Sequence, residues 1–264
     1  MFAYHFMVNA LEAGTAVAIA AAAIGWFMVL RRQTFAGHTL ALISFPGSAA
    51  AALIGIPLAF GYFGACAAGA VVLAGSSVER RTSDSALTGT VQAFALALGF
   101  LFVSLYHGLL SGTESLLFGT FLGISDNQVL ALGAVAVLSV LAIAIAGRPL
   151  LFASVDADVA RAAGVPVRTL SLGFLLLLGL AVAATSQITG ALLVFALLVA
   201  PPAAAQRVTA RPLPGLALSA LIGVAVTWGG LTLAYYSVYP AGFYITTLAF
   251  AAFVAATIVQ KVRA

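Results

Sequence analysis

Charge is what this sequence lacks most. Only 7% of its 264 residues are Asp, Glu, Lys or Arg, 63% are hydrophobic, and the mean hydropathy is +1.17. A water-soluble domain carries about a quarter charged residues, so no aqueous surface can be built from this composition. Cysteine is reduced to Cys66, inside an apolar run, which excludes an intrachain disulfide and a multi-cysteine metal site. Lysine is reduced to Lys261, followed by Val262, so the Gly-Lys-Ser/Thr that holds nucleotide phosphates in a P-loop is missing. The HExxH and GxSxG patterns are also absent, and His5, His38 and His107 do not have the spacing of a closed metal site, which leaves enzymatic readings without residues to carry them. The net charge of +4 rests on basic residues that fall singly or in pairs without interleaved aromatics, which argues against a nucleic-acid partner. No Lys or Arg precedes Arg31, so the basic start of a cleaved signal peptide is missing and the first apolar run is expected to remain as a helix.

Long apolar stretches are what is present. Lipid accepts only helices or closed barrels, because backbone polar groups there must pair internally. Barrel strands alternate apolar and polar residues, and runs such as Ala16–Leu30 and Gly173–Ala184 do not. The fold class is therefore all-α, a polytopic integral membrane protein in one domain, with about nine spans. These are Val8–Leu30, Gly37–Ala59, Gly61–Val78, Leu87–His107, Val129–Ala146, Thr169–Gln187, Thr189–Ala205, Gly215–Tyr236 and Phe243–Val259. With the N-terminus outside and the C-terminus cytoplasmic, Arg31, Arg32, Arg80, Arg81, Arg148, Arg161, Arg168, Arg207, Arg211, Lys261 and Arg263 all fall on the cytoplasmic side. That is every Lys and Arg in the chain, as the positive-inside rule requires.

Two connections exceed simple turns. Gly108–Asn127 is apolar but broken by glycines, with GxxxG spacing at Gly108/Gly112 and Gly119/Gly123, and reads as a re-entrant or surface-lying segment on the outer side. Glu114 and Asp126 then face the outside, either solvated or available to an outer partner. Gly147–Arg168 is the largest polar island and is placed in the cytoplasm. Within it, Asp156 to Ala163 has acidic residues in the first turn, Arg161 later, and Gly164 and Pro166 as a stop, the pattern of a short capped helix. Glu12 and His38 are ionisable within the spans, both near span ends, which gives little support to a proton- or sodium-driven carrier. What remains is a conduit presenting a short helix to the cytoplasm, the form an externally powered permease requires.

Five segments in order carry a family resemblance. They are Phe27–Gly47 (FMVLRRQTFAGHTLALISFPG), Leu116–Ser125 (LLFGTFLGIS), Ser154–Val167 (SVDADVARAAGVPV), Ser186–Ala205 (SQITGALLVFALLVAPPAAA) and Tyr235–Leu248 (YYSVYPAGFYITTL). Together they resemble the membrane permease subunit of the zinc/manganese, ABC-3 type, ABC metal importers. The resemblance implies a homodimer in a bacterial-type plasma membrane, a cytoplasmic ATPase subunit that performs the hydrolysis, and an extracytoplasmic metal-binding protein that delivers the cargo. It implies no cofactor bound by this chain, and a coupling role for the helix with Asp156, Asp158, Arg161 and Gly164. Where the family commonly has an acidic residue followed four positions later by a histidine, this chain has His38 and Leu42. Where its coupling helix has Pro and Glu, this chain has Ala157 and Asp158. Residues i and i+4 share a helix face, so the family pair can touch one ion together. An imidazole in place of a carboxylate favours zinc, since manganese prefers oxygen ligands. The resemblance thus makes His38 a transient metal contact in the pathway; the alternative is a histidine that caps or hydrogen-bonds near a helix start. The rival readings are a manganese, iron or metal-chelate permease, and a non-transporting scaffold or sensor of the same fold.

Overall fold

The computed structural model describes residues 4–77, 85–106 and 123–263. Among these residues the chain is helical and without strands: α1 (His5–Leu30), α2 (Thr34–Ile54), α3 (Leu58–Ser77), α4 (Ser85–Leu105), α5 (Asp126–Val155), α6 (Ala157–Ala162), α7 (Val167–Val208), α8 (Pro212–Tyr235) and α9 (Ala241–Arg263). Seven helical stretches are long and apolar enough to cross a membrane, and the shorter apolar stretches Gly89–Leu105 and Val194–Val208 account for the other two expected spans. The all-α polytopic class holds.

The ends of the helices sort into two layers. At one end, Arg31 donates hydrogen bonds to Ser154 at 3.3 Å and Ser171 at 2.8 Å, Gln206 donates to the Trp26 carbonyl at 2.7 Å, and Arg207 to Gln260 at 3.0 Å. At the other end, His5 and Asn9 of α1 meet Asp126 at the start of α5 at 2.9 and 2.6 Å. The described basic residues lie at the first end or within about two turns of it: Arg148 is seven residues from the end of α5, and Arg161 and Arg168 flank the turn into α7. Arg80 and Arg81 lie outside the described residues.

The 42 residues of α7 fold back on themselves. Ser171 bonds to Arg31 and Gln206 to Trp26, so both ends of α7 sit beside the same end of α1. A straight helix would separate residues 171 and 206 by about 50 Å, whereas Trp26 and Arg31 are about 7.5 Å apart along α1. The reversal is at Gly190, whose φ of 72° and ψ of 163° lie in a region open essentially to glycine alone. Two antiparallel spans were expected here, and the connection between them is this single residue.

Small residues set the packing. α1 is the most buried of the long helices and contributes Ala10, Ala13, Ala18 and Ala21 to the core. With few bulky side chains on those positions, α5, α7 and α8 approach it closely. A tight crossing joins α2 and α3, where a Cβ on Gly47 would strike the Gly61 carbonyl and a Cβ on Gly61 the Gly47 carbonyl. Gly61→Ala is therefore expected to destabilise the protein by about 1–3 kcal/mol through forced separation of two backbones. Thermal denaturation in detergent checks this, and an unchanged melting temperature would mean the two helices do not touch there.

Several boundaries differ from expectation. α2 stops at Ile54, five residues short of the expected Ala59, because Gly55 takes a left-handed φ of 81° and Pro57 follows, while hydropathy runs on unbroken through Phe60. α5 runs nine residues past Ala146, through Arg148 and Pro149 to Val155, so most of the Gly147–Arg168 island is helix rather than loop. A charge marks where the apolar layer ends; it does not end the hydrogen-bond ladder. α5 also starts at Asp126, with the Ser125 N–H donating to the Gln128 side chain at 3.0 Å, and the segment expected to be re-entrant lies outside the described residues up to Leu122, as does Glu114.

Candidate functional site

His38 sits in the second turn of α2, which begins at Thr34, three residues before the expected Gly37. The histidine is thus not a cap: the N-cap is Gln33, which makes no side-chain cap bond. Gly37 lets α2 press against Met28 of α1 and approach Leu178 of α7, and this fixes the face on which His38 emerges. The imidazole is half-buried and packs edge-to-face on Phe195 in the second half of α7, with centroids 5.0 Å apart. Its Nδ1 is buried and has no hydrogen-bond partner among the described residues. A buried polar nitrogen left unpaired costs about 1–3 kcal/mol, so this is an expensive way to use histidine as packing. Leu42, one turn on, is half-buried and brings no ligand atom. Among the described residues no group of three His, Cys, Asp or Glu side chains comes together, so one copy of the chain does not by itself form a multidentate metal site there.

Neutral polar contacts surround this part of α2. Gln92 of α4 donates to Thr39 at 2.8 Å, and Ser44 pairs with Ser186 of α7 at 3.2 Å. At the far end, Asn9 bridges Asp126 and the Ile124 carbonyl. Asp126, expected either to be solvated or to meet an outer partner, is exposed and also tied to α1 through Asn9 and His5. A count of ionisable residues passes over Asn9 and Gln92, and their only sequence signal is that each is an amide inside an apolar run. Glu12, also ionisable and within the spans, is exposed on α1.

The short helix α6 lies at the basic end, between α5 and α7. Asp156 is its N-cap, with one carboxylate oxygen accepting from the N–H groups of Asp158 and Val159, both at 3.0 Å. Its C-terminus closes with the Val165 N–H donating to the Ala160 carbonyl at 3.0 Å and the Gly164 N–H to the Arg161 carbonyl at 3.1 Å. This double bond pattern requires a left-handed residue after the helix, and Gly164 supplies it at φ 84°. Ala160 is fully buried against the body, while Asp158, Val159 and Arg161 project outward. Arg161 pairs with Asp158 in its own helix at 2.9 Å. Beside the helix lies a polar cleft of about 650 Å³ lined by Arg161, Val165, Pro166, Val167, Arg168 and Thr169. The six-residue helix is thus capped at both ends and exposed along one side.

A helical bundle with a short capped helix at its basic end and no nucleotide motif matches one family model over residues 3–260, that of the ABC 3 transport family. The chain belongs to this family. Its relatives include the manganese transport system membrane protein MntC of Halalkalibacterium halodurans, 30% identical over 90% of this chain and 80% of that one. The chelated iron transport system membrane protein YfeC of Yersinia pestis is 30% identical over 94% of this chain and 84% of its own length. Among solved structures, PsaBC from Streptococcus pneumoniae in complex with Fab superposes with a TM-score of 0.86 at 26% identity, over 96% of this chain and 91% of that one. The chain is thus a membrane protein of an ABC transport system.

Proposed function

We propose that this chain is the permease subunit of an ATP-driven importer of a divalent transition metal. Family membership over nearly the whole length carries the reading, together with relatives named for manganese and chelated iron transport. With no Walker motif in the chain, ATP is hydrolysed on a separate cytoplasmic subunit that grips α6. Two copies form the conduit about a two-fold axis, and an extracytoplasmic metal-binding protein feeds it. A dimer brings a second His38 to the pathway and restores a second ligand where Leu42 replaces one.

The cargo assigned is zinc, because a pathway lined by imidazole rather than carboxylate suits zinc. Manganese or iron is the second reading, favoured by the names of the relatives. Uptake of radiolabelled zinc competed by excess zinc, manganese or iron(II) separates them. The zinc reading expects unlabelled zinc to compete best, and suppression of uptake by manganese at lower concentration would overturn it.

The orientation proposed is an outer N-terminus and a cytoplasmic basic end. Asp158→Cys in a Cys66→Ala background is expected to react with a membrane-impermeant maleimide only after the cells are opened. Labelling in intact cells would reverse the assignment.

A further inference from the structure

Away from His38 and α6, a groove of about 790 Å³ lies between α1, α5 and α8. Its walls are apolar, formed by side chains such as Phe27, Ile143, Leu151, Leu213 and Leu216, and no acidic residue lines it. It lies at the basic end of the bundle and holds two exposed guanidinium groups, Arg148 from α5 and Arg211 at the N-cap of α8. Neither side chain makes an ion pair or hydrogen bond among the described residues, in contrast to Arg31, Arg161 and Arg207. The first turn of α8, from Pro212 to Pro214, also lines the groove and brings the positive end of the helix dipole to it. The surface at the groove is apolar and open in the single chain, with Ile145 81% and Leu213 79% exposed.

We propose that this groove binds an anionic phospholipid of the adjoining leaflet, with an acyl chain along the apolar walls and the headgroup phosphate between Arg148 and Arg211. An apolar slot open to the bilayer takes hydrocarbon. Two cations without counter-charge at its polar end select the phosphate of an anionic lipid over a zwitterionic one, whose own cation they repel. Basic pockets between helices at the membrane surface hold acidic headgroups for this reason. The volume falls within the ~300–1,000 Å³ typical of ligand sites.

The test uses the full-length chain purified as it assembles in the membrane and exposed to equal amounts of phosphatidylglycerol and phosphatidylcholine. Lipid retained after washing is counted by native mass spectrometry. The parental chain is expected to retain phosphatidylglycerol about tenfold over phosphatidylcholine, and the Arg148→Gln, Arg211→Gln double variant to lose that preference. Ala144→Phe, which obstructs the groove without altering charge, is expected to lower phosphatidylglycerol retention, while Lys261→Gln, a cation elsewhere at the same end, leaves it intact. Parental preference in the double variant overturns the proposal. An equal loss in Lys261→Gln overturns it as well, since attraction would then be general to the surface. Dissociation of the double variant into single copies with lipid unaffected would make the groove a contact between copies instead. Should the double variant fail to accumulate, the parental chain still decides: equal stabilisation of its melting by the two lipids excludes a selective site.

Discussion

His38→Ala is expected to reduce zinc uptake by about tenfold, equivalent to about 1.4 kcal/mol on the transport barrier, with the complex fully assembled. The half-buried ring, an unpaired Nδ1 and the absence of a capping role leave His38 without a structural task that fits its cost. Ionisable side chains retained inside membrane helices are functional candidates by default. The packing on Phe195 links α2 to the second half of α7, so alanine also removes an aromatic contact. Two further variants separate that loss from the loss of a ligand. His38→Phe keeps a ring against Phe195 and is expected to transport as poorly as alanine, whereas His38→Asp is expected to recover part of the flux with a shift toward manganese, a metal that prefers oxygen. Leu42→His, one turn along the same face, is expected to raise metal retention and slow release, because conduction needs sites that let go. Parental flux and metal preference in both His38→Ala and His38→Phe would remove His38 from the pathway.

Gly164→Pro is expected to abolish coupling: metal-stimulated ATP hydrolysis falls to its unstimulated level and uptake drops by at least about tenfold. Gly164 holds φ at 84° and donates its N–H to Arg161, and proline can do neither, since its φ is fixed near −65° and it has no N–H. Gly164→Ala should fall between the two. A Cβ there meets nothing within 4 Å, so alanine acts only through the left-handed backbone, at about 1–2 kcal/mol. Arg161→Lys is expected to change uptake by less than twofold, because the exposed pair with Asp158 contributes only about 0–1 kcal/mol. That contrast between a conformational and a charge substitution three residues apart would identify shape as what the ATPase reads. Normal stimulation in Gly164→Pro would take α6 out of the mechanism.

The topology was legible because two independent signals agree on it. Apolar run length gives the spans, and the placement of Arg168 and Arg207 on one side forces a reversal between them, which Gly190 provides. The caps of α6 were legible for a local reason, since Asp156, Gly164 and Pro166 act within a few residues of where they stand in the chain. The turn at Gly55–Pro57 was not, because hydropathy measures transfer into lipid and is blind to φ. Nor was the extension of α5 past Arg148, because a helix can leave the bilayer without ending. The contacts of Asn9 with Asp126 and of Gln92 with Thr39 join residues 117 and 53 positions apart, and no local pattern announces such a pairing. The candidate ligand His38 stood out by its chemistry, but its lack of a hydrogen-bond partner becomes visible only once α1, α2 and α7 are packed together.

The most direct test of a metal permease powered by a separate ATPase is flux in a defined system. The chain, co-purified with the ATPase that binds it, is reconstituted into vesicles with the outer metal-binding protein on the loading side, and metal movement is followed with and without ATP. ATP-dependent zinc movement that disappears when the chain is omitted, and that falls about tenfold with His38→Ala, is the predicted result. An assembled complex that hydrolyses ATP yet moves no zinc, manganese or iron would contradict it and leave a scaffold or sensor with the fold of a permease.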